Sequence, residues 1–248
     1  MSIQSPGDLK GMQHVGRIVA VTIQEMRASV RIGMRTAELD AVAASVFARA
    51  GAYSAPQRAY GFPGTTCISV NDEIVHGVPG SRRLQPGDVL KIDVTAESNG
   101  YIADAATTIL LPPYTATALR LKNAALSGLH AALTVAKSTQ RVSVIGRAIE
   151  WEAKQSGFSV VRELCGHGVG RRIHEPPQVP NHENRFSRDM LTDGLVIAIE
   201  PMLAEKPSHA IDTSDGWTIR TNNGALAVHE EHTVVITRGV PLTLTAAA

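Results

Sequence analysis

Apolar residues recur along this chain at two spacings, and the change of spacing separates its helices from its strands. From Leu9 to Val30 they return every three or four positions, which predicts an amphipathic helix. The same spacing predicts a helix capped by Thr36, another from Thr115 to Lys137, and a further one capped by Ser143. The stretch from Ala55 to Pro63 fits neither spacing, so we expect it to be irregular.

Two runs rich in Val, Ile and Thr predict a β-hairpin from Val89 to Leu111, turned at Asn99-Gly100. An Asn-Gly pair supplies the positive φ angles that a type I′ turn needs. Asp93 lies on the incoming strand and Asp104 on the outgoing strand. The hairpin therefore holds two like charges close together. Either a cation lies between them or both carboxylates face solvent.

The alternation along the incoming strand keeps both interpretations open. Lys91, Asp93 and Thr95 share one face, while apolar residues fill the positions between them. An antiparallel strand with this pattern commonly turns its polar face to water. The pattern alone does not choose between a metal site and a solvated face.

Carboxylates also interrupt apolar strands in the second half of the chain. The residues from Leu195 to Ile199 are all apolar, so Glu200 ends a strand that is predicted to be buried on both faces. A buried charge without a partner is so unfavourable that such a group usually pairs or binds a metal. A second predicted hairpin, turned at Asn222-Asn223-Gly224, has Glu231 on its outgoing strand.

Together these acids and one histidine form a set of ligands suited to a divalent cation. A histidine in a glycine-rich loop is by itself more often a turn residue, and this applies to His167 and to His174. The combined pattern is more informative, because four carboxylates and one imidazole come from separate strands and loops: Asp93, Asp104, His167, Glu200 and Glu231. Such ligands suit Mn, Fe, Co or Zn without choosing among them.

Composition and charge narrow the class of protein. A chain of 248 residues with 44% hydrophobic content suits one globular domain, which we expect to span residues 1–248. The formal net charge is +1 with charges spread along the chain, so neither nucleic acid nor a membrane surface is an expected partner. No apolar run approaches the ~18 to 20 residues of a membrane span, and no basic segment precedes an apolar leader, which indicates a cytoplasmic protein. Cys67 and Cys165 lie outside any CxxC pair and are expected to be small buried or pocket-lining groups.

Over most of its length the chain resembles the type I methionine aminopeptidases of peptidase family M24. The matching segments are CISVNDEIVHGVP, GDVLKIDVT, NGYIAD, CGHGVGRRIHEPPQVPN, IAIEPM, DGWTIRT and EEHTVVIT. Several motifs in compatible order are far more specific than any single one. The resemblance implies the pita-bread fold, an α/β (α+β) architecture with a pseudo-two-fold antiparallel sheet core and helices outside. Each half of that fold supplies part of a dinuclear metal site, which agrees with the two carboxylate-bearing hairpins.

Carried over position by position, the resemblance implies two divalent metal ions. Asp104 and Glu231 match the carboxylates that bridge both ions, and Asp93 matches a further ligand of one of them. His167 and Glu200 match ligands of the other ion, and Glu200 also matches the proton acceptor for the nucleophilic water.

The resemblance also implies how a substrate is bound. His76 and His174 match two histidines that contact the substrate near the scissile bond. The family's apolar pocket for the methionine side chain falls at Phe62, Cys67 and Trp217. The implied activity is removal of the N-terminal methionine from nascent proteins and peptides, with preference for a small second residue. We expect a monomer, and any transient contact with the ribosome would use its folded surface.

At two places the chain departs from the family pattern. Pro56 and Ala59 stand where many bacterial members have a cysteine and a tyrosine, which predicts a wider or looser pocket. Ala105 and Ala106 follow Asp104 where the family commonly has a Thr-Ser type pair. Because those hydroxyls can orient metal ligands, their absence predicts weaker metal binding.

Three other interpretations stay open. A proline-specific aminopeptidase or dipeptidase shares the fold and a similar ligand set, but usually has an extra N-terminal domain, for which about 90 residues before Asp93 leave no room. A metal-free, catalytically inactive binding module of the same fold is opposed by the presence of all five candidate ligands. An ordinary α/β domain with solvated acids is opposed by Glu200 and Glu231 within apolar strands.

Overall fold

The computed structural model describes residues 1–246. This part of the chain contains five helices and fifteen strands. The helices are α1 (Pro6–Ser29), α2 (Thr36–Ala50), α3 (Ala55–Tyr60), α4 (Ala116–Val135) and α5 (Ser143–Gln155). The first eight strands are β1 (Tyr53–Ser54), β2 (Cys67–Val70), β3 (Glu73–Val75), β4 (Val89–Ser98), β5 (Tyr101–Leu110), β6 (Ser159–Val160), β7 (Cys165–Gly168) and β8 (Glu175–Pro180). The remaining strands are β9 (Val196–Ile199), β10 (Met202–Ala204), β11 (Ala210–Asp212), β12 (Ile219–Thr221), β13 (Ala227–His229), β14 (His232–Val235) and β15 (Leu242–Thr243).

The four long helices lie where the apolar spacing predicts them, but two of the predicted caps are wrong by one residue. Thr36 is the first helical residue of α2, and its hydroxyl accepts a hydrogen bond from the Gly80 N–H at 2.8 Å. Arg35 precedes the helix instead, and its N–H donates to the Glu38 carboxylate at 2.7 Å. Ser143 likewise begins α5 rather than capping it. In both cases the residue before the predicted cap takes its place.

The stretch from Ala55 to Pro63 is not irregular throughout, since α3 occupies its first six residues. The Ser54 hydroxyl accepts from the Gln57 N–H at 3.4 Å, and Pro56 lies in the first turn, where a proline costs no helical hydrogen bond. Gly61 ends the helix with a φ of 72°. Local capping therefore forms a helix too short for apolar spacing to reveal.

The central hairpin pairs β4 with β5 along their full length. Asn99 and Gly100 have φ angles of 52° and 76°, as a type I′ turn requires. The other edge of β4 is shared by β1 and β2.

The remaining strands form three further sheets, and every pairing between named strands is antiparallel. A five-stranded sheet has the order β15-β14-β9-β7-β8, and two three-stranded sheets have the orders β13-β10-β6 and β11-β12-β3. The predicted hairpin around Asn222-Asn223-Gly224 is wrong, because β12 pairs with β11 and β3 while β13 pairs with β10. The Asn222 N–H donates to the His209 carbonyl at 2.9 Å, which directs this turn toward β11. Glu231 therefore lies in the break between β13 and β14 rather than on a strand.

Helices cover the two halves of the sheet core from outside. Apolar side chains of α1 and α2 pack on the β4–β5 hairpin, and those of α4 and α5 pack on β9 and β14. This is the α/β arrangement that the sequence predicts, with antiparallel strands inside. None of the helices in residues 1–246 combines the length and the apolar character needed to cross a bilayer.

The polar face of β4 is not solvated. Lys91 is only 1% exposed and Thr95 is 5% exposed, so the interpretation of this face as solvent-exposed is wrong. The Lys91 ammonium donates to the carbonyls of Asn71 at 2.8 Å and Val89 at 3.2 Å. Burial lowers the pKa of Lys91 to about 7 from an ordinary value of 10.5.

Replacing Lys91 with methionine should stabilise the protein in a pH-dependent way. In the unfolded chain Lys91 keeps its proton up to about pH 10.5, whereas in the folded protein it releases the proton near pH 7. The contribution of Lys91 to the free energy of unfolding of the wild-type protein is therefore highest at high pH and decreases as the pH falls toward 7. At pH 6 we expect Lys91→Met to raise the free energy of unfolding by about 1–4 kcal/mol, and the gain should shrink by pH 9. The two carbonyls keep other donors, the Ala227 N–H for Asn71 and the Asn71 N–H for Val89.

Urea unfolding of both proteins at pH 6, 7.5 and 9 measures this difference. A constant difference across the three pH values would contradict the assignment of Lys91 as the titrating group.

Candidate active site

One cleft of about 200 Å³ gathers the predicted ligands and both predicted substrate-contacting histidines. Each side chain comes from a different strand or loop, and the seven are His76, Asp93, Asp104, His167, His174, Glu200 and Glu231. Asp93 lies opposite Ala106 in the hairpin, and Asp104 lies opposite Thr95. The two acids are therefore diagonal neighbours on one face of the β4–β5 ladder.

His167 is held against backbone on both sides, which explains its flanking glycines. A Cβ at Gly166 would lie 2.4 Å from the Ala198 carbonyl oxygen, and one at Gly168 would lie 2.3 Å from that of Pro176. The Nδ1–H of His167 donates to the Gly168 carbonyl at 2.9 Å. This leaves Nε2 with its lone pair free, 3.4 Å from Oε1 of Glu200.

Three of these side chains approach closely enough to hold one ion. Ligand atoms of Asp104, His167 and Glu231 all lie within 4.8 Å of one another. The backbone of Glu231 is fixed by its N–H, which donates to the Ala106 carbonyl at 2.9 Å. Oδ1 of Asp93 and Oε1 of Glu231 are buried and have no hydrogen-bond partner among residues 1–246.

The electrostatics of the cleft favour a divalent cation. Burial, reinforced by the neighbouring carboxylates, raises the pKa values of Asp93, Glu200 and Glu231 well above their ordinary range. Burial also raises the pKa of Asp104 and lowers that of His167. A divalent ion supplies the positive charge that lets such acids ionise together. The unpartnered oxygens and the free Nε2 fit such an ion.

His76 and His174 both line the cleft and the adjoining pocket. His76 follows β3 in a backbone conformation with a φ of 59°, and His174 lies between β7 and β8. The Nδ1 of His174 is 2.8 Å from the Tyr60 hydroxyl, and the two rings stack with centroids 5.8 Å apart. Burial lowers the pKa values of both histidines, so both rings are neutral near pH 7.

An apolar pocket of about 80 Å³ opens beside these histidines. All three predicted pocket residues line it, and the rings of Phe62 and Trp217 meet edge to face with centroids 5.2 Å apart. Cys67 is buried, which raises the pKa of its thiol. Tyr60 and Ile173 also line the pocket, although neither is among the three predicted pocket residues. The aromatic character of the stretch around Tyr60 is the only sequence signal that indicates the first of them.

The model of the family described as Metallopeptidase family M24 matches residues 10–238. The chain belongs to metallopeptidase family M24. It is 38% identical over 247 residues to "Methionine aminopeptidase 2" of Bacillus subtilis (strain 168), covering 99% of each chain. It is also 38% identical over 234 residues to "Methionine aminopeptidase 1" of the same strain, covering 94% of each. The solved structure of a methionine aminopeptidase from Thermotoga maritima superposes with a TM-score of 0.96 at 31% identity, covering 100% of each chain.

In this M24 metallopeptidase, neighbouring strands supply hydroxyls around Asp104. The Thr95 hydroxyl donates to Oδ1 of Asp104 at 2.9 Å. The Thr233 hydroxyl donates to the Asp104 carbonyl at 2.7 Å and accepts from its N–H at 2.9 Å. Although Ala105 and Ala106 have no hydroxyl group, the hydroxyls of Thr95 and Thr233 orient Asp104. Weaker metal binding by this chain stays a prediction.

Removing the Thr95 hydroxyl should weaken metal binding. We expect Thr95→Val to lower the affinity for Co²⁺ or Mn²⁺ by ~10- to 100-fold, because an outer hydrogen bond that orients a ligand contributes about that much. Thr107→Val is the matched control in the same hairpin, since that hydroxyl contacts Glu230 at 3.2 Å and no candidate ligand.

Equilibrium dialysis of the metal-free proteins measures both dissociation constants. Equal affinities for Thr95→Val and wild type would show that this hydroxyl does not support the metal site.

Proposed function

We propose that this M24 metallopeptidase is a methionine aminopeptidase that removes the N-terminal methionine from nascent proteins and peptides, preferring a small second residue. The observation that carries the proposal is the position of the apolar pocket, which opens directly beside the cleft that holds the acids and histidines. Relatives with that name, similar along nearly the whole chain, support the same activity. We propose that it acts as one catalytic domain over residues 1–248, in the cytoplasm and as a monomer.

We assign the metal ligands as two overlapping sets. Asp93, Asp104 and Glu231 would hold one divalent ion, and Asp104, Glu231, His167 and Glu200 would hold the other. Two such ions supply Lewis acidity, which polarises the scissile carbonyl, activates a water molecule and anchors the free amino terminus. The ligand set suits Co, Mn, Fe or Zn.

The remaining chemistry belongs to groups of the chain itself. Glu200 accepts the proton of the attacking water, and its buried carboxylate lines the cleft. The ring N–H of His76 donates a hydrogen bond to the departing nitrogen, which takes up the proton that Glu200 accepted from the water. His174 stabilises the oxyanion of the tetrahedral intermediate.

Tyr60 prepares His174 for this role. When the Tyr60 hydroxyl donates to Nδ1, 2.8 Å away, the neutral imidazole must carry its proton on Nε2. His174 then presents an N–H donor to the cleft. The fixed tautomer requires no rearrangement at the moment when negative charge develops.

Specificity for methionine comes from the apolar pocket. The side chain of methionine is unbranched and flexible, and its sulfur makes favourable contacts with aromatic ring edges. Phe62, Trp217 and Tyr60 supply those rings, and Cys67 also lines the pocket.

Peptide hydrolysis tests the function directly. The purified protein is stripped of metal, reloaded with Mn²⁺, Co²⁺ or Fe²⁺, and given Met-Ala-Ser and an Xaa-Pro peptide side by side. We expect release of methionine from Met-Ala-Ser, and loss of that release in Glu200→Gln. Cleavage of the Xaa-Pro peptide alone would indicate a proline-specific enzyme. No cleavage by protein that binds two ions would indicate an inactive binding module.

His174→Ala tests the assignment of the oxyanion donor. We expect kcat/KM for Met-Ala-Ser to fall by ~100-fold or more, because loss of one such donor commonly has that effect. Tyr60→Phe keeps the imidazole but removes its tautomer partner, so its loss should be smaller. A change within about twofold for His174→Ala would remove this residue from the proposed mechanism.

A further inference from the structure

His229 is a buried imidazole that the proposed mechanism leaves unused. It ends β13, is 2% exposed and lines the same cleft as the candidate ligands. Neither Nδ1 nor Nε2 has a hydrogen-bond partner within residues 1–246. A buried ring with two unpaired nitrogens is unfavourable unless something else binds it.

The position of Nε2 fits a shared cation better than a hydrogen bond. It lies 3.6 Å from Oε2 of Glu200 and 3.7 Å from Oε2 of Glu231. Both distances exceed those of ordinary N–H···O hydrogen bonds, about 2.7–3.2 Å. Both are shorter than two metal–ligand bonds end to end, about 4.0–4.3 Å, so one ion can contact the imidazole and either carboxylate.

The backbone of His229 fixes the direction of its side chain. The Thr108 hydroxyl accepts from the His229 N–H at 3.0 Å and donates to its carbonyl at 2.8 Å. The residue also pairs with Met202 across β10 and β13. The ring is thus aimed into the cleft by strand geometry.

We propose that His229 is a further ligand of the metal centre, binding through Nε2 beside Glu200 and Glu231. The inference rests on the metal centre assigned under the proposed function and adds a second imidazole to it. Imidazole suits Zn, Co and Fe, whereas carboxylate suits Mn, so His229 makes this centre more selective against Mn.

Metal selectivity tests the proposal without an activity assay. We expect His229→Gln to weaken Co²⁺ binding by at least about tenfold and Mn²⁺ binding by clearly less, because only the nitrogen ligand is lost. His232→Gln is the matched control, since that ring contacts the Thr245 hydroxyl at 2.9 Å outside the cleft. Titration calorimetry of the metal-free proteins gives both constants, and thermal melting monitors folding.

X-ray absorption of the Co²⁺-loaded protein counts the imidazoles bound to metal. The wild-type count alone tests the proposal, even if a His229 variant does not fold. Wild type and a His76→Gln/His174→Gln variant should both show two imidazoles for each pair of ions, and His229→Gln should show one. A count of one in wild type, or an unchanged ratio of Co²⁺ to Mn²⁺ affinity in His229→Gln, would overturn the role of His229 and leave the proposed function standing. Failure of wild type to bind either ion would overturn both.

Discussion

Four carboxyl groups share one cleft, three of them buried and that of Asp93 partly so, and their common need for positive charge is the constraint on which the rest of the structure depends. Removed from water, Asp93, Asp104, Glu200 and Glu231 resist ionisation and repel one another when ionised. A protein keeps such an arrangement only where something compensates it. The surrounding structure is organised to hold the acids in place despite their repulsion.

Main-chain contacts across the molecule do most of that holding. The Glu231 N–H bonds to Ala106, and the Thr233 hydroxyl bonds to both backbone groups of Asp104. These contacts join the hairpin of the first half to the strands of the second. These contacts use the backbone of Glu231 and Asp104, so the carboxylate oxygens of both residues stay available to bind a metal ion.

Local signals explain which parts of the fold the sequence could predict. The turn at Asn99-Gly100 needs positive φ angles that its own residues supply, so the hairpin was predictable to within a residue. The turn at Asn222-Asn223-Gly224 looks equally suited to a hairpin, yet its strands find distant partners in β3, β10 and β11. Pairing between strands that are so far apart in the chain cannot be predicted from a short segment of sequence.

The same distinction applies to the site. The ligand candidates were recognisable because an acid inside an apolar strand is unusual wherever it occurs, and the motif resemblance added their order. Lys91 and His229 could not be recognised, since their roles depend on neighbours far along the chain. Lys91 alternates with apolar residues as a solvated residue would, but the Asn71 loop covers it. The alternation of polar and apolar residues along a strand does not show whether a segment elsewhere in the chain covers the polar face.

The bonds between Thr233 and Asp104 join residues that are 129 positions apart. During synthesis the hairpin leaves the ribosome long before Thr233 and Glu231 do. A growing polypeptide therefore lacks Glu231 and the Thr233 hydroxyl until those residues have been made. The backbone of Asp104 is therefore fixed only when the two halves of the sheet core fold together.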